Sequence, residues 1–229
     1  IDAVYISLPN SLHKYWSIKA LSARKHVLCE KPLASSETDV VELYNIAQTN
    51  QCHLMEGFAF LHSPIIKKVK TMIDKGLIGK LIYIDAHFFD TDYPEDNITI
   101  RRPSFGGSIY DIGCYNTAFL LFLLEDEPEQ IQGFGNFTKT NVDDYASFLF
   151  TYSNDVRASV RSFIGSTQRD DYIVLFGTKA KLTIPVEYNF SGYANLVMTF
   201  PDGNEDLIPV YSPNNYTLEF EQFGRSVLF

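Results

Sequence analysis

The stretch HVLCEKP (residues 26–32) decides the fold, because an apolar strand runs directly into an acid, a base and a proline. Glu and Lys are rarely buried unless they are paired or used. Pro32 fixes its own φ and favours an extended Lys31, which gives the lysine a defined direction. The pattern predicts a buried strand that presents Glu30 and Lys31 at a ligand-binding sheet edge. A surface Glu–Lys pair in a loop remains the simpler alternative.

Strands and helices alternate around this stretch. IDAVYIS (1–7) is typical of a buried strand, residues 8–26 of a turn and a helix, and CHLMEGFAF (52–60) of a third strand. SSETDVVELYNIAQTN (35–50) is typical of a helix that Ser36 and Asp39 begin with a capping box. This alternation predicts parallel βαβ units over residues 1–60, with the first half of the domain and its phosphate loop missing.

After residue 60 strands dominate. A helix is expected over 63–76 and an apolar, glycine-opened helix over 105–124, with a strand at 80–89 between them. Seven strand patterns follow between 129 and 211, separated by polar turns, and such a run predicts an antiparallel sheet. The fold class is therefore α/β plus α+β. The C-terminal part of a Rossmann domain (1–60) precedes an α+β domain (61–229) with a large, mainly antiparallel open sheet.

Composition excludes several partners. The net charge of −9 and the isoelectric point near 5.0 argue against a nucleic acid or an anionic membrane. No run of about 18 apolar residues predicts a membrane span, and no signal peptide is recognisable. Cys29, Cys52 and Cys114 form no CxxC motif, which favours a reducing, cytoplasmic location. The five histidines are scattered, so no metal site is predicted.

Two further motifs could carry chemistry. PNSLH (9–13) follows the first strand and could offer polar groups to a nucleotide, although taken alone it favours a turn with a helix cap. In GGSIYDIGCYN (106–116), Asp111 and Tyr115 lie four residues apart on one predicted helix face. A carboxylate and a phenol can transfer protons, and a neighbouring ammonium would lower the pKa of the phenol. The alternative is a core helix whose tyrosine binds backbone.

Together, EKP and the later GG-x-x-x-D-x-G-x-Y pattern resemble the Gfo/Idh/MocA family, which includes glucose–fructose oxidoreductase, inositol dehydrogenases and dimeric dihydrodiol dehydrogenase. The resemblance covers nearly the whole chain and implies a Rossmann domain followed by a sheet domain that often forms a dimer. It implies an NAD(P)-dependent oxidoreductase that moves hydride between nicotinamide and a secondary alcohol or ketone of a sugar, polyol or cyclic diol. The expected partners are that small molecule and a second copy bound through the sheet.

The resemblance also implies roles for single residues. Lys31 would lie beside the nicotinamide and the reacting oxygen, Tyr115 would be the acid–base residue, and Asp111 would match the family's aspartate. Pro9, Asn10, His13, Glu30 and Lys31 would line the NAD or NADP cofactor. Arg102 and Asn116 would bind substrate.

The chain departs from the family in one respect, since it contains no GxGxxG motif. A glycine-rich turn before a helix is what holds the pyrophosphate of a dinucleotide. We therefore expect this chain to be a fragment that binds the cofactor weakly. The alternative is a non-catalytic ligand-sensing or protein-interaction module on the same fold.

Overall fold

The computed structural model describes residues 1–94 and 96–228. Its first part is a three-stranded parallel sheet in the order β1–β2–β3. The strands are β1 (Ala3–Ile6), β2 (His26–Glu30) and β3 (Leu54–Gly57), and the connecting helices are α1 (Asn10–Ser22) and α2 (Glu37–Thr49). The predicted alternation is confirmed, and the Ser36 hydroxyl caps α2 by accepting the Asp39 N–H.

The third strand is shorter than predicted. β3 ends at Gly57, and Ala59–His62 form a 3₁₀ turn instead of continuing the strand. The Phe60 ring is fully buried and contacts the rings of Tyr115 and Tyr188. Tertiary burial of this ring therefore overrides the strand pattern.

The second part is an eight-stranded sheet in the order β11–β10–β9–β8–β4–β7–β6–β5. Its strands are β4 (Leu81–Thr91), β5 (Gln130–Phe137), β6 (Asp143–Thr151), β7 (Arg157–Ser166), β8 (Asp170–Gly177), β9 (Lys181–Ile184), β10 (Gly192–Thr199) and β11 (Glu205–Ser212). All neighbours pair antiparallel except β4 and β7, which are parallel. The prediction of a large, mainly antiparallel open sheet is confirmed.

Helices α3 (Pro64–Asp74) and α4 (Cys114–Leu124) contribute to the core of the second part. Pro64 occupies the first turn of α3, and Gly76 follows the helix with φ of 65°, a conformation that ends helices and favours glycine. The helix predicted over 105–124 is interrupted, because Ile109–Gly113 form a π-helical turn before α4 begins. Such turns occur often at functional sites. The boundary predicted between residues 60 and 61 stays a prediction.

The last helix, α5 (Asn215–Leu228), packs back onto the first part of the chain. It contacts the 3₁₀ turn after β3, and Phe220 meets the ring of Tyr5 edge to face at 5.0 Å. Residues of β1 and α5 therefore lie together beside the carboxyl end of β2.

One helical stretch, Arg102–Leu124, is long and apolar enough to cross a membrane by length and composition. More than half of its most apolar window is buried inside the protein. A buried core helix of a globular protein has the same property, so this stretch is weak evidence for a membrane span.

The eight-stranded sheet exposes aromatic side chains on the face away from the helices. Phe134 on β5 is 68% exposed, and Tyr193 on β10 is 83% exposed. Tyr193 packs against Tyr211 of β11 with ring centroids 4.8 Å apart. Apolar groups of this size on one face are typical of an interaction surface.

Candidate active site

Lys31 lies at the carboxyl end of β2 and reaches across to the π-helical turn. Its ammonium donates to the backbone carbonyl of Asp111 and lies 3.4 Å from that residue's Oδ1. It also lies 4.9 Å from the centroid of the Tyr115 ring. The three residues predicted to be catalytic are thus brought together from two distant motifs. The Lys31–Pro32 peptide bond is cis.

The charge of Lys31 is stabilised by its neighbours. Burial lowers the pKa of the ammonium. The neighbouring groups raise that pKa by more than burial lowers it, so the net direction is upward; they are Cys114, Tyr115, Asp111 and Glu30. Burial raises the pKa of Cys114 and Tyr115, so these two groups are neutral at neutral pH. The Lys31 ammonium carries a positive charge at neutral pH and can stabilise negative charge on a substrate oxygen.

Tyr93 was missed by the sequence analysis and belongs to this cluster. Its hydroxyl lies 2.8 Å from Asp90 Oδ2 and 3.1 Å from Asp111 Oδ2, so it shares one proton between two carboxylates. Burial raises the pKa of Tyr93 first, and the charges of Asp111 and Asp90 raise it further. Tyr93 consequently stays protonated and fixes the Asp111 carboxylate. No sequence pattern separates it from other loop tyrosines.

Tyr115 lies in an aromatic cage. Its ring contacts those of Phe58, Phe60, Phe88 and Tyr188, with centroids 5.4 to 6.0 Å apart. Burial raises the pKa of Tyr115 by more than the Lys31 ammonium lowers it, so the expected effect of the ammonium is present but the net direction is upward. At neutral pH this hydroxyl therefore holds its proton and can act as an acid.

A second group that the sequence did not reveal holds the Tyr115 hydroxyl. Asn189, in the loop between β9 and β10, places Nδ2 3.5 Å from the Tyr115 oxygen and 3.4 Å from the Tyr216 oxygen. Tyr216 lies in the first turn of α5. The loop and the last helix thus complete the site around Tyr115.

The predicted cofactor-lining residues occupy the carboxyl edge of the parallel sheet. Pro9 precedes α1, and Asn10 donates from Nδ2 to the Phe105 carbonyl at 3.0 Å. Glu30 accepts the hydroxyl proton of Tyr5 with one oxygen. Whether these residues contact a cofactor stays a prediction.

The surroundings of His13 differ from those expected. Its ring is fully buried, with Nδ1 2.8 Å from the Pro32 carbonyl and Nε2 2.7 Å from the Leu8 carbonyl. It therefore joins the loops that follow β1 and β2. This corrects the expectation of direct cofactor contact, because both ring nitrogens face backbone.

The two residues predicted to bind substrate lie in different environments. Asn116 is fully buried, donates to the Arg161 carbonyl at 3.1 Å and accepts from the Tyr188 hydroxyl at 2.6 Å. This corrects the expectation that Asn116 faces a substrate, because both ends of its amide are used inside the core. Arg102 is exposed in a short 3₁₀ turn, and its role stays a prediction.

The turn that carries Asp111 is held by a buried carboxylate on β6. Asp143 Oδ2 accepts from the Ser108 hydroxyl at 2.7 Å and from the Ile109 N–H at 2.8 Å. Gly107 precedes them with φ of 123°, and a Cβ there would lie 2.2 Å from Asp143 Oδ1. Glycine at position 107 therefore leaves the room that this carboxylate occupies.

The chemistry of the edge fits the reactive end of a dinucleotide. At the carboxyl end of a parallel strand, Glu30 offers a hydrogen-bond acceptor and Lys31 offers a cation. This pair suits a ligand group that carries both an amide and hydroxyls. The pyrophosphate needs a glycine-rich turn, and none of the described strand-to-helix turns carries one. Across residues 1–94 and 96–228, no three potential metal ligands cluster.

Two family models match this chain. One, described as the GFO/IDH/MocA C-terminal domain, matches residues 66–183, and the other, described as an oxidoreductase family with an NAD-binding Rossmann fold, matches residues 1–58. The chain belongs to the Gfo/Idh/MocA family. The resemblance seen in the EKP and DIGCY motifs is confirmed.

Curated Gfo/Idh/MocA relatives are oxidoreductases. The chain is 29% identical to D-xylose 1-dehydrogenase (NADP(+)) 2 of Haloferax volcanii over 99% of its own length and 70% of the relative's. It is 30% identical to trans-1,2-dihydrobenzene-1,2-diol dehydrogenase of Xenopus laevis, over 81% of its own length and 56% of the relative's. The chain spans 35% to 70% of the length of the curated relatives it matches first.

A solved structure has the same fold. The 3-ketoreductase from Actinomadura kijaniata, in complex with NADP and TDP-benzene, superposes with a TM-score of 0.90 at 26% identity. The match covers all of this chain and 70% of the reductase. The combination of a Rossmann-type sheet and a large mainly antiparallel sheet is thus a shared family architecture.

Proposed function

We propose that this Gfo/Idh/MocA chain carries the reaction centre of an NAD(P)-dependent oxidoreductase acting on a secondary alcohol or ketone of a sugar, polyol or cyclic diol. The observation that carries the proposal is the Lys31 ammonium, held by Asp111 at 3.4 Å and lying over the Tyr115 ring. When bound, the nicotinamide supplies or accepts the hydride. The residues of this chain handle the charge and the proton at the substrate oxygen.

In the reducing direction, the carbonyl oxygen of the substrate gains negative charge and then a proton. Lys31 stabilises that charge, since its ammonium is positively charged at neutral pH. Tyr115 donates the proton, because burial keeps its hydroxyl protonated at neutral pH. Asp111 orients Lys31 and is itself held by Tyr93. The oxidising direction is the reverse of this step and starts from the deprotonated form of Tyr115.

Two further observations support these assignments. Variants of the Actinomadura kijaniata reductase with one lysine or one tyrosine replaced have been solved. The two replaced positions are as far apart in that chain as Lys31 and Tyr115 are in this one. The relatives named above reduce or oxidise sugars and a diol, which supports the same substrate class here.

The test is turnover of the purified protein with NADP⁺ or NAD⁺ and a panel of aldoses, polyols and cyclic diols. Lys31→Met and Tyr115→Phe should each lower kcat by about 10²- to 10⁴-fold. Lys19→Met on α1 and Tyr44→Phe on α2 are matched controls outside the site. Near-normal turnover in both site variants would sink the assignment.

Cofactor binding is tested separately. We expect this chain alone to bind NADPH weakly, because it carries no glycine-rich phosphate loop. Titration of nicotinamide fluorescence measures this, and tight binding would contradict the expectation. Ligand or partner binding without turnover at saturating NADP⁺ would favour the non-catalytic module instead.

We also propose a homodimer through the outer face of the eight-stranded sheet. The exposed rings of Phe134, Tyr193 and Tyr211 support it. Light scattering should give twice the mass of the chain, and Phe134→Asp with Tyr193→Asp should give the monomer. A monomeric wild type at micromolar concentration contradicts the proposal. No nucleic acid or membrane partner is proposed, in keeping with the charge of −9.

We propose a cytoplasmic location because the cysteines are free thiols. Cys29, Cys52 and Cys114 are all free, and burial raises the pKa of Cys29 and Cys114 to about 12. Thiols of this kind are structural and persist in a reducing compartment. Fractionation of the source cells, followed by immunodetection, tests the location.

A further inference from the structure

Across the aromatic cage from Lys31 lies a second cation, Arg169, which precedes β8. Its guanidinium carbon is 4.6 Å from the centroid of the Phe88 ring. The Phe88 ring in turn meets the Tyr115 ring at 5.5 Å. Arg169 is therefore separated from the proposed acid by one aromatic ring.

The guanidinium is fixed on one edge. Nε lies 3.2 Å from Asp171 Oδ1 and Nη2 lies 2.9 Å from Asp171 Oδ2, which is a two-bond fork. Glu187 lies 3.5 Å from Nη2. The two hydrogens of Nη1 find no acceptor in the described residues, and the side chain is 37% exposed. Arg169 thus presents an oriented pair of free donors.

The groups between the two cations complement these donors. Burial raises the pKa of Tyr216 most, Glu30 and Glu219 raise it further, and Lys31 and Arg169 lower it, so the Tyr216 hydroxyl lies within reach of both cations and of two carboxyl groups. Asn189 binds that hydroxyl through Nδ2, and its buried Oδ1 finds no donor within residues 1–94 and 96–228. Donors on Arg169 and an acceptor on Asn189 suit hydroxyl groups, which both give and accept hydrogen bonds.

The local charge argues for a neutral ligand. The carboxylates of Asp171, Glu187 and Asp90 act on Arg169, and Asp111 and Glu30 act on Lys31. Both cations are therefore compensated, and an anionic ligand would meet these carboxylates as well. Binding sites for phosphate instead leave cationic groups uncompensated.

We propose that Arg169 is a second substrate-binding residue, which with Asn189 binds hydroxyl groups of a neutral polyhydroxylated substrate, and that Asp171 makes the site reject anionic sugars. The chemical step rests on the proposed oxidoreductase function, whereas binding does not. Arg169 thereby sets specificity at the side of the site opposite Lys31.

The experiment compares D-glucose with D-glucose 6-phosphate, a matched neutral and anionic pair, in the purified protein. Binding is followed by NMR titration without cofactor, and KM and kcat are followed with NADP⁺. Arg169→Met should weaken glucose binding and raise KM about tenfold to a hundredfold, with kcat within about threefold. Arg169→Lys keeps the charge but loses the fork and should recover only part of the loss. Arg225→Met on α5 is the control.

Asp171→Asn provides the selectivity test. It frees the positive charge of Arg169 and should improve the affinity for the phosphate relative to glucose at least tenfold. Equal glucose affinity in wild type and Arg169→Met overturns the proposal, and so does wild-type preference for the phosphate or no glucose binding at all. Glucose binding that depends on Arg169, with no turnover even at NADP⁺ concentrations that saturate the cofactor site, supports the proposal and refutes the oxidoreductase function instead.

Discussion

Glu219 on α5 gives the strongest quantitative prediction. Its carboxylate is 0% exposed, and neither oxygen finds a hydrogen-bond donor in the part of the chain that the structure describes. Burial raises the pKa of Glu219 from 4.5 to about 7, and the charge of Glu30 adds to this. The folded protein therefore prefers the neutral acid, while the unfolded chain ionises at the ordinary pKa.

The sign of the pH dependence follows directly. Below pH 4.5 both states carry the proton, and stability is unaffected. Between 4.5 and 7 only the folded state keeps the proton, so stability falls by about 1.4 kcal/mol per pH unit as the pH rises. Above pH 7 the loss is complete and amounts to about 3 kcal/mol.

Glu219→Gln removes the ionisable group and keeps the shape. Between about pH 4.5 and about pH 8, the free energy of unfolding of the variant should rise by about 3 kcal/mol relative to that of the wild-type protein. Urea unfolding at several pH values measures it, and comparing differences cancels any constant cost of the buried amide. Glu221→Gln, at an exposed position of the same helix, should show little pH dependence. Parallel curves for Glu219→Gln and wild type would refute the reasoning.

Two further predictions concern the turn that carries the site. Asp143→Ala leaves the buried Ser108 hydroxyl and Ile109 N–H without this acceptor and should cost about 2–4 kcal/mol in urea unfolding; a loss below about 0.5 kcal/mol contradicts it. Gly107→Ala combines a φ of 123° with a Cβ 2.2 Å from Asp143, so it should cost about 2 kcal/mol or more. Gly203 has φ of 87° and no atom near the position that a Cβ would take, so Gly203→Ala is the control for backbone strain alone. Equal losses of unfolding free energy in the two variants would exclude a clash with Asp143.

The helices and strands were predictable because local sequence signals and the pattern of buried residues specified the same elements. Alternating strands and helices, the Ser36 cap and Pro64 at the first turn of α3 each specified their own element. The pairing of β4 with β7 and β8 was not predictable, since nothing in a strand's own sequence identifies such distant neighbours.

Part of the candidate site was also predictable. Lys31, Asp111 and Tyr115 stand in recognisable motifs, and the structure places them together. Tyr93, Asn189 and Arg169 could not be found, because each is a common residue in a loop and gains its role from tertiary contacts. The lowering effect of the Lys31 ammonium on the Tyr115 pKa was predictable, but the net rise was not, because spacing shows the nearby ammonium and not the depth of burial.

The position of β4 in the large sheet has a consequence for synthesis of the chain. β4 spans residues 81–91, but its partners β7 and β8 lie between residues 157 and 177. Both edges of this apolar strand therefore emerge from the ribosome well before the residues that cover them. Long-range pairing of this kind slows folding and leaves strand edges open to aggregation in the meantime. The strand at the centre of the finished sheet is thus the one that waits longest for its partners while the chain is being made.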